Sequence, residues 1–136
     1  MKNALSIALI LTILCSCIFS FALAETRASN YFTSYGTTMS APGNGLIGIT
    51  FRAVGTDICN QIGVANYQVF KETDEGWVAV SGLLSGQTGT NVASYTFGRY
   101  FQGVAGETYR IQVSFLCVIN NTSEIKSYTS GRITAK

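Results

Sequence analysis

Residues 109–117 read Y-R-I-Q-V-S-F-L-C, and this stretch limits the fold more than any other. Tyr109, Ile111, Val113, Phe115 and Cys117 fall on one side of a two-residue repeat. Arg110, Gln112, Ser114 and Leu116 fall on the other. Successive strand side chains point to opposite faces of a sheet, so the pattern predicts a strand buried on one side. The turn sequence V-A-G-E at 104–107 delivers the chain into it.

Weaker alternation surrounds this strand. Asn30 to Ala41 places Tyr31, Thr33, Tyr35, Thr37 and Met39 in one register, broken by Phe32, and is expected to be an edge strand. Asn44-Gly45 follows, a pair suited to the two positive φ values of a tight hairpin. Leu46 to Val54 is a second strand with Ile47, Ile49, Phe51 and Ala53 inward. Gly55-Thr56-Asp57 is expected to open a loop carrying Cys59. Ile62 to Lys71 is a third strand, with Ala65, Tyr67 and Val69 alternating against Asn66, Gln68 and Phe70. The polar turn from Glu72 to Gly76 leads to a short return strand, Trp77 to Val80. Ser81 to Asn91 is rich in Gly, Ser and Thr and reads as a long crossing loop, with Gly82 to Asn91 a candidate mobile binding loop. Val92 to Phe101 and Ile125 to Ile133 complete the set, with a turn at Asn120-Asn121. No stretch has a helical period.

About seven short strands with regular turn signals predict an all-β chain, an immunoglobulin-like antiparallel β-sandwich. The first, second and fifth strands are expected in one sheet and the third, fourth, sixth and seventh in the other.

The first 24 residues stand apart. Lys2 is their only charge, Ala4 to Phe21 is almost wholly apolar, and Ala22-Leu23-Ala24 offers small residues at a peptidase spacing. This describes a helical secretory signal peptide, residues 1–24, cleaved after Ala24. Two other readings stay open. The run is close to the length of a membrane span, so an uncleaved segment would anchor the protein. Leu14 to Cys17 is a poor lipobox, because the apolar run continues past Cys17. Cleavage leaves residues 25–136, 112 residues (136 − 24), a size that suits one domain.

Charge and residue types then exclude several functions. Without Lys2 the chain has eight basic and seven acidic residues, a net charge of +1, which argues against nucleic-acid binding. There is no His, so Ser-His-Asp catalysis is impossible and a zinc site on the two remaining cysteines lacks ligands. Glu72, Asp74 and Glu75 lack the spacing of a calcium loop. No catalytic residue, metal or cofactor is expected, and the chain is read as a non-enzyme. The expected partner is an extracellular protein or a glycan, with contact to membrane only through an uncleaved N-terminal segment, and the expected state is a monomer. Trp77, Tyr95 and Tyr100 are candidates for a platform that stacks on sugar rings; equally, such rings fill sandwich cores. A small secreted effector or inhibitor is a third possibility.

The run G-V-A-G-E-T-Y-R-I-Q-V at 103–113 resembles the turn and sixth strand of fibronectin type III and other immunoglobulin-like domains. That resemblance implies a tyrosine corner, in which the Tyr109 hydroxyl returns to the backbone of the preceding turn. The chain also resembles a family of short secreted proteins of Gram-positive anaerobes, Clostridia-like, recorded as a domain of unknown function. The matching pieces are R-A-S-N-Y-F, G-N-G, I-G-V-A-N-Y-Q-V-F, the 103–113 run and I-T-A near the C-terminus. This second resemblance implies export and an all-β domain and assigns no site residue. In immunoglobulin-like topology the connections near Cys59 and Cys117 lie at one end of the sandwich. An exported chain with two cysteines favours a disulfide between them; two buried thiols are the alternative.

Overall fold

A computed structural model describes residues 29–136; the apolar N-terminal run and the Ala24 site lie outside the described residues. Among the described residues there are eight strands and no helix. They are β1 (Phe32–Gly43), β2 (Leu46–Thr73), β3 (Gly76–Ala79), β4 (Leu84–Ser85), β5 (Thr88–Gln102), β6 (Thr108–Ile119), β7 (Thr122–Thr129) and β8 (Ile133–Thr134).

The 28-residue β2 organises all of them. Its first half lies between β1 and β5, pairing antiparallel with both. Its second half pairs with β6 on one edge and with β3 and β4 on the other. β7 lies outside β6, and β8 adds a short pair at the start of β6. The sheet curls so that β1–β2–β5 faces β3–β2–β6–β7. This is the all-β, sandwich-like arrangement, with the strands distributed between the two layers as expected.

The expected loop at 55–57 is not a loop. The chain stays extended from Leu46 to Thr73, and the second and third expected strands are one. The corner is made instead by a register shift: Val54 faces Ser94 and Cys59 faces Val92, five steps on β2 against two on β5. Three extra residues turn the strand from one layer into the other without breaking it.

Two lapses in the alternation have the same cause. Phe32 faces Gly55 and Ser34 faces Val54, so Thr33 is a bulge. Phe32 and Tyr35 therefore both turn inward, and Phe32 is buried. Val64 faces Phe115 and Asn66 faces Ser114, so Ala65 is a second bulge. Ile62 and Val64 point inward before it, Tyr67 and Val69 after it. Ala65 is thus not the core residue that strict alternation suggests. One extra residue exchanges the faces of everything beyond it.

Aromatic rings join the layers. Phe51 lies 4.9 Å from Tyr67 across the core and 4.8 Å from Phe97 within its own layer, between ring centroids. Tyr35 meets Phe115 at 5.3 Å and Phe101 meets Tyr109 at 5.7 Å, again between layers. Ile47, Ile49, Ile62, Val69, Ile111 and Val113 fill the space between.

Turn chemistry follows the sequence closely. Asn44 and Gly45 both have positive φ, 55° and 75°, and join β1 to β2. Asn120 and Asn121 do the same between β6 and β7, at 50° and 63°. The Tyr109 hydroxyl accepts a hydrogen bond from the Val104 N–H at 2.9 Å, five residues upstream, while its ring stays buried. That bond closes the turn from β5 into β6 and satisfies an amide that would otherwise have no strand partner.

The segment from Ser81 is not a free loop. Its Ser81 hydroxyl accepts from the Val69 N–H at 2.9 Å, and the Ser81 carbonyl accepts from Gln68. Gly86 donates to the Ala65 carbonyl and Gln87 accepts from Val64. A Cβ on Gly86 would collide with the Val64 carbonyl, so the missing side chain is what lets this backbone lie on β2. β5 accordingly begins at Thr88 rather than Val92. The last expected strand is divided: β7 ends at Thr129, the buried Ser130 hydroxyl accepts from the Ile111 N–H, and β8 begins at Ile133.

Candidate functional site

The outer face of the β2–β6–β7 layer holds a groove. Two rows of side chains cross three strands. Asn66, Ser114 and Ser127 make one row; Gln68, Gln112 and Thr129 make the next. The strand register dictates both rows. The Ala65 bulge places Asn66 and Gln68 outward, opposite the outward residues of β6. The tight Asn120-Asn121 turn fixes β7 so that Ser127 and Thr129 continue the rows. The groove has a volume of about 250 Å³, and Leu83 stands on its wall with 69% of its surface exposed.

Every side chain in these rows is neutral and can hydrogen-bond. Gln68 already donates to the Ser81 carbonyl at 3.0 Å. Asn66, Gln112, Ser114, Ser127 and Thr129 form no side-chain hydrogen bond to any described residue. Their donors and acceptors are open to solvent or to a ligand. Apolar residues bound the rows at both ends. Phe70 faces Arg110 beyond Gln112, and Leu116 faces Ile125 beyond Ser114. The outward positions of Phe70 and Leu116 are therefore as expected, but two polar rows separate them and they form no single patch.

The expected aromatic platform is not assembled. Trp77 sits on β3 at the edge of one layer, with the Arg110 guanidinium 4.3 Å from its ring centroid. Tyr95 and Tyr100 sit on β5 in the other layer, and their side chains project to opposite faces of that strand. Tyr95 packs against Phe97 at 5.9 Å, at the margin of the core. Tyr100 is 74% exposed over Gly48 on the outer face. Rings that alternate along a strand and divide between layers make no common surface. Of the acidic cluster, Glu72 is paired with Arg132 at 2.8 Å, while Asp74 and Glu75 are exposed in the turn.

Cys59 and Cys117 do meet, at the end of the sandwich where Asn60 accepts a hydrogen bond from the Asn120 N–H. Both are fully buried free thiols with sulfurs 2.9 Å apart, beyond the ~2.0 Å of a bond, so the structure holds no disulfide. The two positions meet as the sequence suggested, and in this structure they stand as two thiols, the other of the two readings left open by the sequence. The Cys59 thiol donates to the Asp57 carbonyl at 3.3 Å and the Cys117 thiol to Cys59. The Cys117 thiol is pushed up to about 12, first by burial, then by the Cys59 hydrogen bond and by the charges of Cys59 and Glu124.

Glu124 fastens the N-terminal end of the described chain over these thiols. Its carboxylate accepts from the Tyr31 N–H at 2.9 Å and the Ser29 hydroxyl at 3.2 Å, and pairs with Lys126 at 2.8 Å. Burial alone raises its pKa, but Lys126, Tyr31 and Ser29 together hold it below the ordinary 4.5. Because the folded value is the lower one, the charged carboxylate stabilises the fold above that ordinary value. The contribution is lost as the pH falls through the lowered value. In Glu124→Gln, the Tyr31 amide is expected to exchange with solvent about tenfold faster while amides in the middle of β6 do not change. Hydrogen exchange followed by NMR checks this, and equal rates at Tyr31 would refute the latch.

Asn66, Gln68, Gln112 and Ser114 were readable as outward strand positions, but nothing marked the groove residues as a set. The available signal is the absence of charge: outward positions on three strands carry amides and hydroxyls where Lys and Glu are usual.

No family model matches this chain, and no curated protein matches it. Among solved structures, the crystal structure of a protein from Archaeoglobus fulgidus is similar, at 15% identity and a TM-score of 0.41, over 77% of this chain and 98% of that one. A likeness of that size says nothing about function.

Proposed function

We propose that this protein is an exported, non-catalytic recognition module whose working face is the outer surface of β2, β6 and β7. The observation that carries the reading is the groove, five of whose neutral side chains have no hydrogen-bond partner among the described residues. Export is supported by the basic start, apolar run and A-x-A site at residues 1–24, and by the resemblance to short secreted proteins of Gram-positive anaerobes. A non-catalytic role is supported by the groove's chemistry. Its rows contain no carboxylate, lysine or cysteine, and the chain has no His, so no side chain there has a pKa suited to proton transfer near neutrality. The buried Cys59–Cys117 pair fits an oxidising compartment, where a disulfide oxidant would accept the two electrons and the thiol protons would leave.

Co-sedimentation with isolated Gram-positive cell envelopes tests the reading. The purified protein, produced from the full-length gene, is expected to pellet with envelopes. Ser127→Arg, which fills the groove from an exposed position, is expected to abolish pelleting without moving the melting temperature. Tyr100→Ala, on the opposite layer, is expected to leave it intact. Equal pelleting of wild type and Ser127→Arg would overturn the assignment of this face.

A further inference from the structure

We infer that the groove on β2, β6 and β7 takes a neutral carbohydrate, held by its hydroxyl groups against Asn66, Gln112, Ser114, Ser127 and Thr129. This rests on the reading of that face as the recognition surface and adds the class of ligand.

Charge selects first. No lining residue is ionisable at neutral pH. The nearest cation along β6 is Arg110, one row beyond Gln112, and its guanidinium lies over Trp77. An anionic polymer would meet no counter-charge in the groove, and a cationic one no carboxylate. A phosphate or carboxylate ligand loses strong hydration on binding and needs charged partners in return.

Hydrogen bonding selects next. The amides of Asn66 and Gln112 present donors and acceptors side by side, and the hydroxyls of Ser114, Ser127 and Thr129 do both through one oxygen. An apolar ligand would cover these groups and leave them unpaired, at a cost for each. A ligand whose own groups both donate and accept at every position matches them, and a sugar ring is such a ligand. An extended peptide is less well suited: strand addition uses the free edge of a sheet, whereas these side chains stand on its face.

Shape agrees. Three strands at about 4.8 Å and two rows at about 6.8 Å set out a grid roughly 10 Å by 7 Å, on the scale of one or two sugar rings. The volume of about 250 Å³ lies just under the ~300 Å³ lower end for small-ligand sites, so the rest of a chain stays in solvent. Leu83, 69% exposed on the wall, offers an apolar contact to the C–H face of a ring, a part that an aromatic plays in other sites. Trp77 is not needed: Arg110 already covers one side of its ring.

Isothermal titration of the purified protein with a panel of soluble oligosaccharides tests this. The neutral arm contains gluco-, manno-, xylo- and arabino-oligosaccharides and N-acetylglucosamine oligomers; the charged arm contains oligogalacturonate and a polyglycerol phosphate. At least one neutral probe is expected to bind. The double variant Asn66→Ala/Gln112→Ala is expected to weaken it about tenfold or more at unchanged melting temperature. Trp77→Ala and Tyr100→Ala are expected to stay within about twofold of wild type. NMR cross-peaks of the Asn66 and Gln112 side-chain amides are expected to move on addition of that probe. If only the charged arm binds, and the double variant abolishes that binding, the ligand class is wrong while the recognition face stands. If a neutral probe binds wild type and double variant alike, the site is wrong. If neither arm binds while envelopes are still pelleted in a Ser127-dependent way, the carbohydrate inference falls and the recognition reading survives; loss of envelope binding as well removes both.

Discussion

Phe51→Ala is expected to remove about 3–5 kcal/mol of folding stability, the usual range for deleting a buried ring whose site cannot collapse. The ring is 1% exposed and sits between Phe97 of its own layer and Tyr67 of the facing layer, both with centroids within 5 Å. Truncation therefore opens a void where the two layers hold each other, and both neighbours lose contacts at once. Set against a typical total of about 5–15 kcal/mol, the loss leaves a marginal protein. Urea unfolding followed by tryptophan fluorescence measures it through Trp77, with Tyr100→Ala as the companion variant. Tyr100 lies on the outer surface, so its removal is expected to shift the midpoint by no more than about 0.5 kcal/mol. Similar small shifts for both would mean that the layers do not pack through Phe51.

The second large effect concerns the thiol pair. Closing Cys59 and Cys117 into a disulfide would tie together positions 58 residues apart (117 − 59), for which chain entropy gives up to about 4 kcal/mol. Treatment with glutathione disulfide during refolding is expected to lower the mass by two hydrogens and raise the melting temperature by about 10–15 °C. Two electrons pass to the glutathione disulfide, which leaves as two thiols. The folded, reduced protein is expected to resist this oxidation and alkylation near neutral pH. Its Cys117 thiol is pushed up to about 12, so little of the reactive thiolate is present. Since the folded value is the higher one, the reduced fold keeps this contribution below the ordinary thiol value of 9.0. It loses the contribution as the pH rises from there towards about 12. An oxidised form that melts no higher than the reduced one would show that the bond strains the corner more than it restrains the unfolded chain.

The candidate site was less legible than the fold. Asn66, Gln68, Gln112 and Ser114 could be placed on the outward face from alternation, but a groove requires knowing which strands are neighbours. Ser127 and Thr129 join the set only because the two-residue Asn120-Asn121 turn fixes the β6–β7 register. The aromatic platform was a natural reading of Trp77, Tyr95 and Tyr100 in sequence. It dissolves once strand assignment sends them to different layers and faces.

Local chemistry alone determined the all-β character, the faces of β6 and the Asn-Gly and Asn-Asn turns, because each depends on a few neighbouring side chains and their backbone preferences, while the corner at Tyr109 was legible through the resemblance to fibronectin type III domains. Packing between distant segments decided the rest. The bulges at Thr33 and Ala65, the unbroken run of β2 through its corner and the docking of Gly86 against Val64 each answer to a partner strand tens of residues away. The meeting of Cys59 and Cys117 is of the same kind: it follows from the curl of the sheet, and no spacing in the sequence specifies it.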